Sequence, residues 1–249
     1  MPKFFVESKN IDDKSIMIIG ENYNHAVNVL RLKNGDEILI NDRQGNDYQC
    51  IINCIEKNFL TALINCQIAS CTEPTTKVIL FQSLIKGEKM DWVIQKAVEL
   101  GVTQIIPLNV SRCVVKLEEG KKLKAKIERW NKISETAAKQ SGRGVIPIVE
   151  TPMNLKEAVC YATQNSSHQL IPYEKETKQG IKEALQNKEC NSVSVFIGPE
   201  GGFTQEEVAY SLQNGVQCLT LGPRILKSET ASIVVLANIM YEMGEMKYE

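Results

Sequence analysis

The sequence predicts an α/β chain with a largely parallel sheet, preceded by a small all-β domain. Three observations lead to this fold class. Residues 1 to about 70 hold short β-branched or apolar runs separated by tight-turn chemistry. From Lys77 onward, apolar runs alternate with segments of helical periodicity. Near the C-terminus stand two glycine-turn loops, Ile197-Gly-Pro-Glu-Gly-Gly-Phe203 and Leu221-Gly-Pro-Arg-Ile-Leu-Lys-Ser-Glu-Thr-Ala231. Each follows an apolar run and precedes a helical pattern, and units of that kind on neighbouring strands build a ligand crevice at the strands' carboxyl ends.

The elements follow in order. Phe4-Phe5-Val6, Ser15–Ile19, Glu37–Ile40, Asp47–Ile55 and Thr61–Cys66 read as strands, with Asn34-Gly35-Asp36 and Gln44-Gly45-Asn46 as turns, a spacing that suggests a small barrel. Asn24–Arg31 fits one or two helical turns. Thr72-Glu-Pro-Thr-Thr76 reads as a linker, giving domains at 1–72 and 73–249. Val78–Ile85 is a buried strand. Met90, Val93, Ile94, Ala97 and Val98 share a helical face that stops at Gly101. Val102–Leu108 is a strand and Leu117–Gln140 a long helix. Gln169–Pro172 is a short strand and Gly180–Asn187 a short helix. Ser192–Ile197, apolar at nearly every position, is a central strand. Thr204-x-x-Glu207 is a capping box, Asn214-Gly215 ends its helix, Gln217–Leu221 is a strand and Glu229–Met243 an apolar last helix.

Composition narrows the class. The 249 residues allow one large or two modest domains, and 43% hydrophobic residues suffice for a sizeable core. With 29 basic against 30 acidic residues, net charge does not mark a nucleic-acid binder. Between Arg112 and Arg143, however, ten Lys or Arg face four Glu. That segment is either a phosphate-binding face or a solvated basic helix. No apolar stretch is long enough for a membrane span and no secretory signal is read, so a cytoplasmic protein with reduced thiols is expected. Among the eight cysteines, Cys50-x3-Cys54 and Cys66-x4-Cys71 have pair-like spacing, but no histidine lies near them and no metal is expected.

Neither glycine loop is a dinucleotide fingerprint or a P-loop. Gly198, Gly201 and Gly202 permit positive φ and close approach of backbone to a ligand, while Pro199 stiffens the turn. The capping box already satisfies the following helix end, which argues against a phosphate cradle and for backbone groups that wrap an adenine or ribose. In the second loop Ile225 and Leu226 either flank a flat ring or belong to the core.

These residues closely resemble the RsmE family, bacterial methyltransferases of the SPOUT superfamily. Both glycine loops match the family's pattern. So do His25-x-x-x-Val-Leu-Arg31 with Asn34-Gly-Asp36, the run Lys86-Gly-x-Lys-Met-Asp-Trp-x-Ile-Gln-Lys-Ala-x-Glu-Leu-Gly101, Ser111-Arg-Cys113 and Glu135-x-Ala-Ala-Lys-Gln-Ser-Gly-Arg143. The resemblance spans nearly the whole chain. It implies an N-terminal PUA-like β-barrel that helps bind RNA and a C-terminal trefoil-knotted α/β domain that forms a homodimer. It implies methylation of N3 of one uridine in 16S ribosomal RNA of the small subunit, with S-adenosylmethionine as donor. A related knotted methyltransferase acting on tRNA or on a ribose 2′-hydroxyl is the alternative, and a non-catalytic RNA-binding or assembly protein a more distant one.

By this resemblance the donor pocket draws on Leu170, Ile171 and Pro172, on Ile197, Gly198, Pro199, Glu200, Gly201 and Gly202, and on Leu221, Gly222, Arg224, Ile225, Leu226 and Thr230. The RNA face combines Arg31, Arg112, Lys116, Lys121, Lys122, Lys124 and Arg143. The N-terminal 72 residues carry seven Lys or Arg against nine Asp or Glu, so RNA binding by the barrel is local and shape-driven or waits for an assembled subunit. Uridine N3 carries a proton at neutral pH and is a poor nucleophile, so a base or an anion-stabilising group is required. Glu200 and Glu229 are candidate bases, and Arg143 or Arg224 candidates to stabilise charge on the uracil oxygens. His25 and His168 are expected to be structural or on the surface.

Overall fold

The computed structural model describes residues 1–115, 120–185 and 191–247. The described chain divides into two compact units, Met1–Glu73 with Ala138–Ile146, and Pro74–Ala137 with Pro147–Glu249.

The first unit holds β1 (Lys3–Phe5), β2 (Ser15–Ile19), β3 (Glu37–Asn41), β4 (Asn46–Ile55) and β5 (Phe59–Ala69). They form a sheet in the order β1-β3-β4-β5-β2, parallel between β1 and β3 and antiparallel elsewhere. Alternation decides what is inside: Ile16 and Ile18 of β2, Ile38 and Ile40 of β3, and Leu60 and Ala62 of β5 are all fully buried and pack with Phe4 and Ile52. Gly35 and Gly45 take φ of +92° and +93° in the two turns, a region costly for other L-residues. The helical stretch near residue 24 is a short α1 (Gly20–Asn24) continued by one π-helical turn over His25–Val29. Arg31 then adopts φ +55°, and Leu32 donates back to the Ala26 carbonyl at 3.0 Å.

Residues 138–146 count with this unit because Glu73 clasps them. Its carboxylate accepts from Arg143 Nη2 at 2.6 Å and from the Gly144 and Val145 amides at 2.8 and 3.1 Å. Lys3 adds an ion pair to Asp47 at 2.9 Å and a hydrogen bond to the Gly142 carbonyl at 3.0 Å.

The second unit alternates strand and helix: β6 (Lys77–Ser83), α2 (Lys89–Glu99), β7 (Gln104–Asn109), α3 (Lys121–Gln140), β8 (Ile148–Val149), β9 (Met153–Asn154), α4 (Leu155–Asn165), β10 (His168–Pro172), α5 (Ile181–Leu185), β11 (Ser192–Ile197), α6 (Gln205–Gln213), β12 (Gln217–Leu219) and α7 (Ser228–Glu242). Only the last three residues of α3 count with the first unit. Every ladder in this sheet is parallel, in the order β12-β10-β11-β6-β7-β8, with β9 also on β7. β6 and β11 are buried along almost their whole length, as a strand covered on both faces requires. Phe81 of β6 stacks on Phe196 of β11 with ring centroids 4.6 Å apart.

The two glycine-loop strands, read from the sequence as neighbours, are separated by β10. The link from β11 through α6 to β12 steps across a strand that lies earlier in the chain. α4 is not anticipated, although Asn154 and Glu157 form a full capping box ahead of Leu155, Ala158, Val159 and Ala162 on one face. The start expected for the long helix at Leu117, and the end expected for the helix at Asn187, lie outside the described residues.

Candidate active site

Three loops leave the carboxyl ends of β12, β10 and β11, which stand side by side. Their register is fixed by the pairs Leu170↔Gln217, Ile171↔Cys218, Pro172↔Leu219 and Leu170↔Val195. Leu170 and Ile171 are fully buried in the strand. Above them are the loops that start at Tyr173, Gly198 and Thr220.

The β11 loop is braced from below. Gln82, fully buried at the end of β6, donates to the Ser228 hydroxyl at 3.1 Å and to the Ser83 carbonyl at 3.0 Å. Ser228 in turn donates to the Gly198 carbonyl at 2.6 Å. Ser232 donates to Gln82 Oε1 and lies 2.9 Å from the Ser228 carbonyl. One buried amide thereby links β6, α7 and the glycine loop, and each of its polar ends is satisfied. Of the loop's glycines only Gly202 needs positive φ, +67°. At Gly198 a Cβ would lie 3.2 Å from the Phe203 ring and 3.3 Å from Gly202 Cα. There the absent side chain makes room for the turn itself.

The loop's outer side is held by Arg112, which donates to the Gly201 carbonyl at 2.8 Å. The predicted capping box is present: the Thr204 hydroxyl accepts from the Glu207 amide at 3.2 Å, and Glu207 accepts from the Thr204 amide at 2.8 Å. Glu207 also takes the Ser111 amide at 2.8 Å. A cleft of about 280 Å³ opens beside Arg112, walled by Tyr173, Glu174, Lys175, Phe203 and the start of α6. Its sequence signal was Ser111-Arg-Cys113, but the part played by Tyr173–Lys175 was not legible, because nothing in their pattern marks a wall.

The β12 loop is open. Gly222 (φ +100°), Arg224 and Thr230 are exposed, and Ile225 is 89% exposed, so Ile225 is not a core residue. Leu221 and Leu226 are half-buried.

The candidate bases differ. Glu200 is exposed, and one of its oxygens lies 3.3 Å from the Lys86 amide. Glu229, in the first turn of α7, pairs with Lys89 at 3.2 Å. Its other oxygen, Oε2, is buried and has no hydrogen-bond partner among the described residues. Burial pushes its pKa up, but its own backbone amide and Lys89 outweigh this and hold it below the ordinary value of 4.5. It is therefore ionised at neutral pH.

The residues expected to meet RNA are spread over both units. Arg31 is exposed in the first, and Lys121, Lys122 and Lys124 are exposed on α3 in the second; Lys116 lies outside the described residues. Arg143 is only 3% exposed, belongs to the first unit and is committed to Glu73. Of the histidines, His25 is exposed and edge-on to Phe4, and His168 is buried in β10. Among the described residues seven cysteines are free. Burial, with Cys66 nearby, pushes the Cys50 thiol up to about 12, so it stays protonated and inert. No helix among the described residues is long and apolar enough to cross a membrane.

A parallel sheet with glycine loops at the carboxyl ends of its β10–β12 side, a basic helix and a small β unit define an α/β protein with a ligand crevice and a basic face. An RNA methyltransferase domain model matches residues 72–240, and an RNA methyltransferase PUA domain model matches residues 18–65. Ribosomal RNA small subunit methyltransferase E of Bacillus subtilis is 35% identical over 97% of this chain and 97% of its own length. The enzyme of the same name from Neisseria gonorrhoeae, solved bound to S-adenosyl methionine, aligns with a TM-score of 0.84 at 29% identity over 97% of both chains. A methyltransferase of Legionella pneumophila, solved with bound SAM, aligns at 0.84 and 30% identity over 96% of both. This chain belongs to the ribosomal RNA small subunit methyltransferase E family.

Proposed function

We propose that the chain methylates N3 of one uridine in 16S ribosomal RNA of the small subunit, with S-adenosylmethionine as donor. The observation that carries this reading is the cluster of loops at the carboxyl ends of β12, β10 and β11, on a chain whose family relatives are named for small-subunit rRNA methylation. The donor fits the residues present. Leu170 and Ile171 lie buried in β10, and the braced 197–202 loop offers backbone groups. Leu221–Leu226 adds an open flap with an exposed Ile225, and Thr230 an exposed hydroxyl beside it. The β11–β12 link that steps over β10 supports a knotted domain at this edge. A homodimer and a cytoplasmic location complete the proposal.

When bound, the donor supplies an electrophilic methyl group on a sulfonium, so that the N3–C bond forms as the S–C bond breaks and its electron pair returns to sulfur. The chain's own residues position the base and manage the N3 proton. The cleft beside Arg112 admits the uracil, with Arg112 and Lys175 supplying positive charge for the uracil oxygens. Arg143, tied to Glu73, is replaced in that role by these two and Arg224. The N3 proton passes to a carboxylate. Glu229 is ionised and has a buried oxygen left unpaired; Glu200 is the more accessible candidate.

The test is a methylation assay on small subunits from a strain lacking the enzyme, with the product nucleoside identified by mass spectrometry. 3-Methyluridine is expected. A 2′-O-methyl product, or methylation of tRNA instead, would overturn the assignment.

A further inference from the structure

α2 and α3 leave between them a groove of about 660 Å³, lined by Glu88, Trp92, Gln95, Arg129, Lys132 and Ile133 among others. It shares no lining residue with the cleft at Arg112. Trp92 is 44% exposed within it, unusual for the largest apolar side chain. The groove is also built rather than accidental. Asp91 accepts from both Arg129 and the Trp130 indole at one edge, which fixes the two helices to each other and neutralises that carboxylate. Lys126 covers the Trp130 ring from outside, 5.3 Å from its centroid.

Charge decides what such a groove holds. The twenty residues of α3 carry seven Lys or Arg against two Glu, in a chain whose net charge is −1. A polyanion is drawn to this helix, and an aromatic face beside cations is the general means of holding an unpaired base. Every nucleobase also has an N–H on its edge for the Glu88 carboxylate to accept, while Gln95 can donate or accept. At the groove's Glu88 end the next residue, Lys89, pairs with the candidate base Glu229 at 3.2 Å.

We propose that this groove binds one unpaired RNA base flanking the target uridine, stacked on Trp92 with its phosphate toward Lys132. The proposal rests on the chain acting on RNA.

The full-length protein carries its own probe. It has two tryptophans, and Trp130 is buried, so quenching by added RNA reports on Trp92. Single-stranded hexamers of adenylate, cytidylate or uridylate should quench the wild type. Trp92→Leu, which keeps the apolar cover but removes the probe, should bind end-labelled hexamers about ten-fold more weakly than wild type in fluorescence anisotropy and raise KM for small subunits, with donor affinity by calorimetry unchanged. Trp92→Phe should recover part of the loss. Wild-type hexamer affinity and KM in Trp92→Leu would overturn the groove while leaving the methyltransferase reading intact. A changed oligomeric state in sedimentation, with RNA affinity preserved, would hand the groove to a second copy and also overturn it. Loss of donor affinity in Trp92→Leu would make the residue structural and count against the proposal. Inactivity of the wild type on small subunits would instead sink the methyltransferase reading itself.

Discussion

Gln82 shows how a single buried side chain sets the shape of a loop more than a hundred residues away in sequence. Its amide satisfies Ser228 and Ser232, and Ser228 holds the Gly198 carbonyl. Gln82→Leu takes one partner from each hydroxyl, Ser228 keeping the Gly198 carbonyl and Ser232 the Ser228 carbonyl, a change that should cost about 1–3 kcal/mol in urea unfolding. Ser228→Ala removes less from the core but frees the loop. It should lower S-adenosylmethionine affinity in calorimetry by several-fold with a smaller loss of stability. Donor affinity unchanged in Ser228→Ala would mean that the brace does not govern the loop. Neither serine nor glutamine was legible in the sequence as a functional residue. Gln82 reads there as one polar position in an apolar strand, and only the parallel pairing of β6 with β11 sets it under the loop. The glycines were legible as turn formers, yet their separate needs were not. Gly202 requires its φ, Gly198 requires the space, and Gly201 has only the flexible Arg112 side chain near its Cβ position, at 3.4 Å.

At the scale of elements, periodicity gave strands and helices wherever the apolar pattern was unbroken. Ser15–Ile19 and Ser192–Ile197 have the expected bounds. It failed for α4, whose signal lies in its Asn154 cap rather than in a long run, and for the place of β10, since sheet order is a long-range property that no local window contains. Two carboxylates hold segments that lack strong propensity. Glu73 accepts from Arg143 and two amides, and the Arg143 side chain is almost wholly buried. Glu73→Ala should therefore destabilise the first unit by about 3–5 kcal/mol, because it takes the paired carboxylate from a buried guanidinium. Glu73→Gln, which keeps an acceptor, should lose less. Denaturation within about 1 kcal/mol of wild type for Glu73→Ala would refute the clasp. In the second unit Glu245 accepts from the Thr75 hydroxyl at 2.6 Å and from the Thr76 amide at 2.7 Å. Burial raises its pKa, but these hydrogen bonds outweigh it and hold the carboxyl below its ordinary value of 4.5. A depressed carboxyl stabilises the fold above its unfolded pKa and loses that contribution as pH falls through the folded value. Thermal scans from pH 7 to 3 should show wild type losing its advantage over Glu245→Gln below about pH 4.5. A constant gap across that range would remove Glu245 from the acid response.

For the whole molecule, the near-zero net charge conceals a strong separation. α3 contributes five net positive charges by its seven cations and two anions, so the rest of the chain is net negative. Such a molecule is not drawn to polyanions indiscriminately. It approaches them with one face, and that orientation is what an enzyme choosing one base in a large RNA requires. The sequence showed the cluster, but chemistry alone left it between a solvated helix and an RNA face, because both have the same composition. Salt dependence separates them. Each phosphate contact with single-stranded RNA contributes a slope of about −0.7 in log K against log salt. Reversing Lys121, Lys122 and Lys124, all exposed, to Glu should reduce the magnitude of that slope by about 2 and weaken binding most at low salt. Donor affinity should be unaffected, since these residues lie on α3 and not on the loops at β10, β11 and β12. Fluorescence titrations of wild type and triple variant with small-subunit RNA, over a range of potassium chloride concentrations, make the comparison directly. Equal slopes would return α3 to the role of a solvated face and leave the RNA to be held by Arg31 and Arg112.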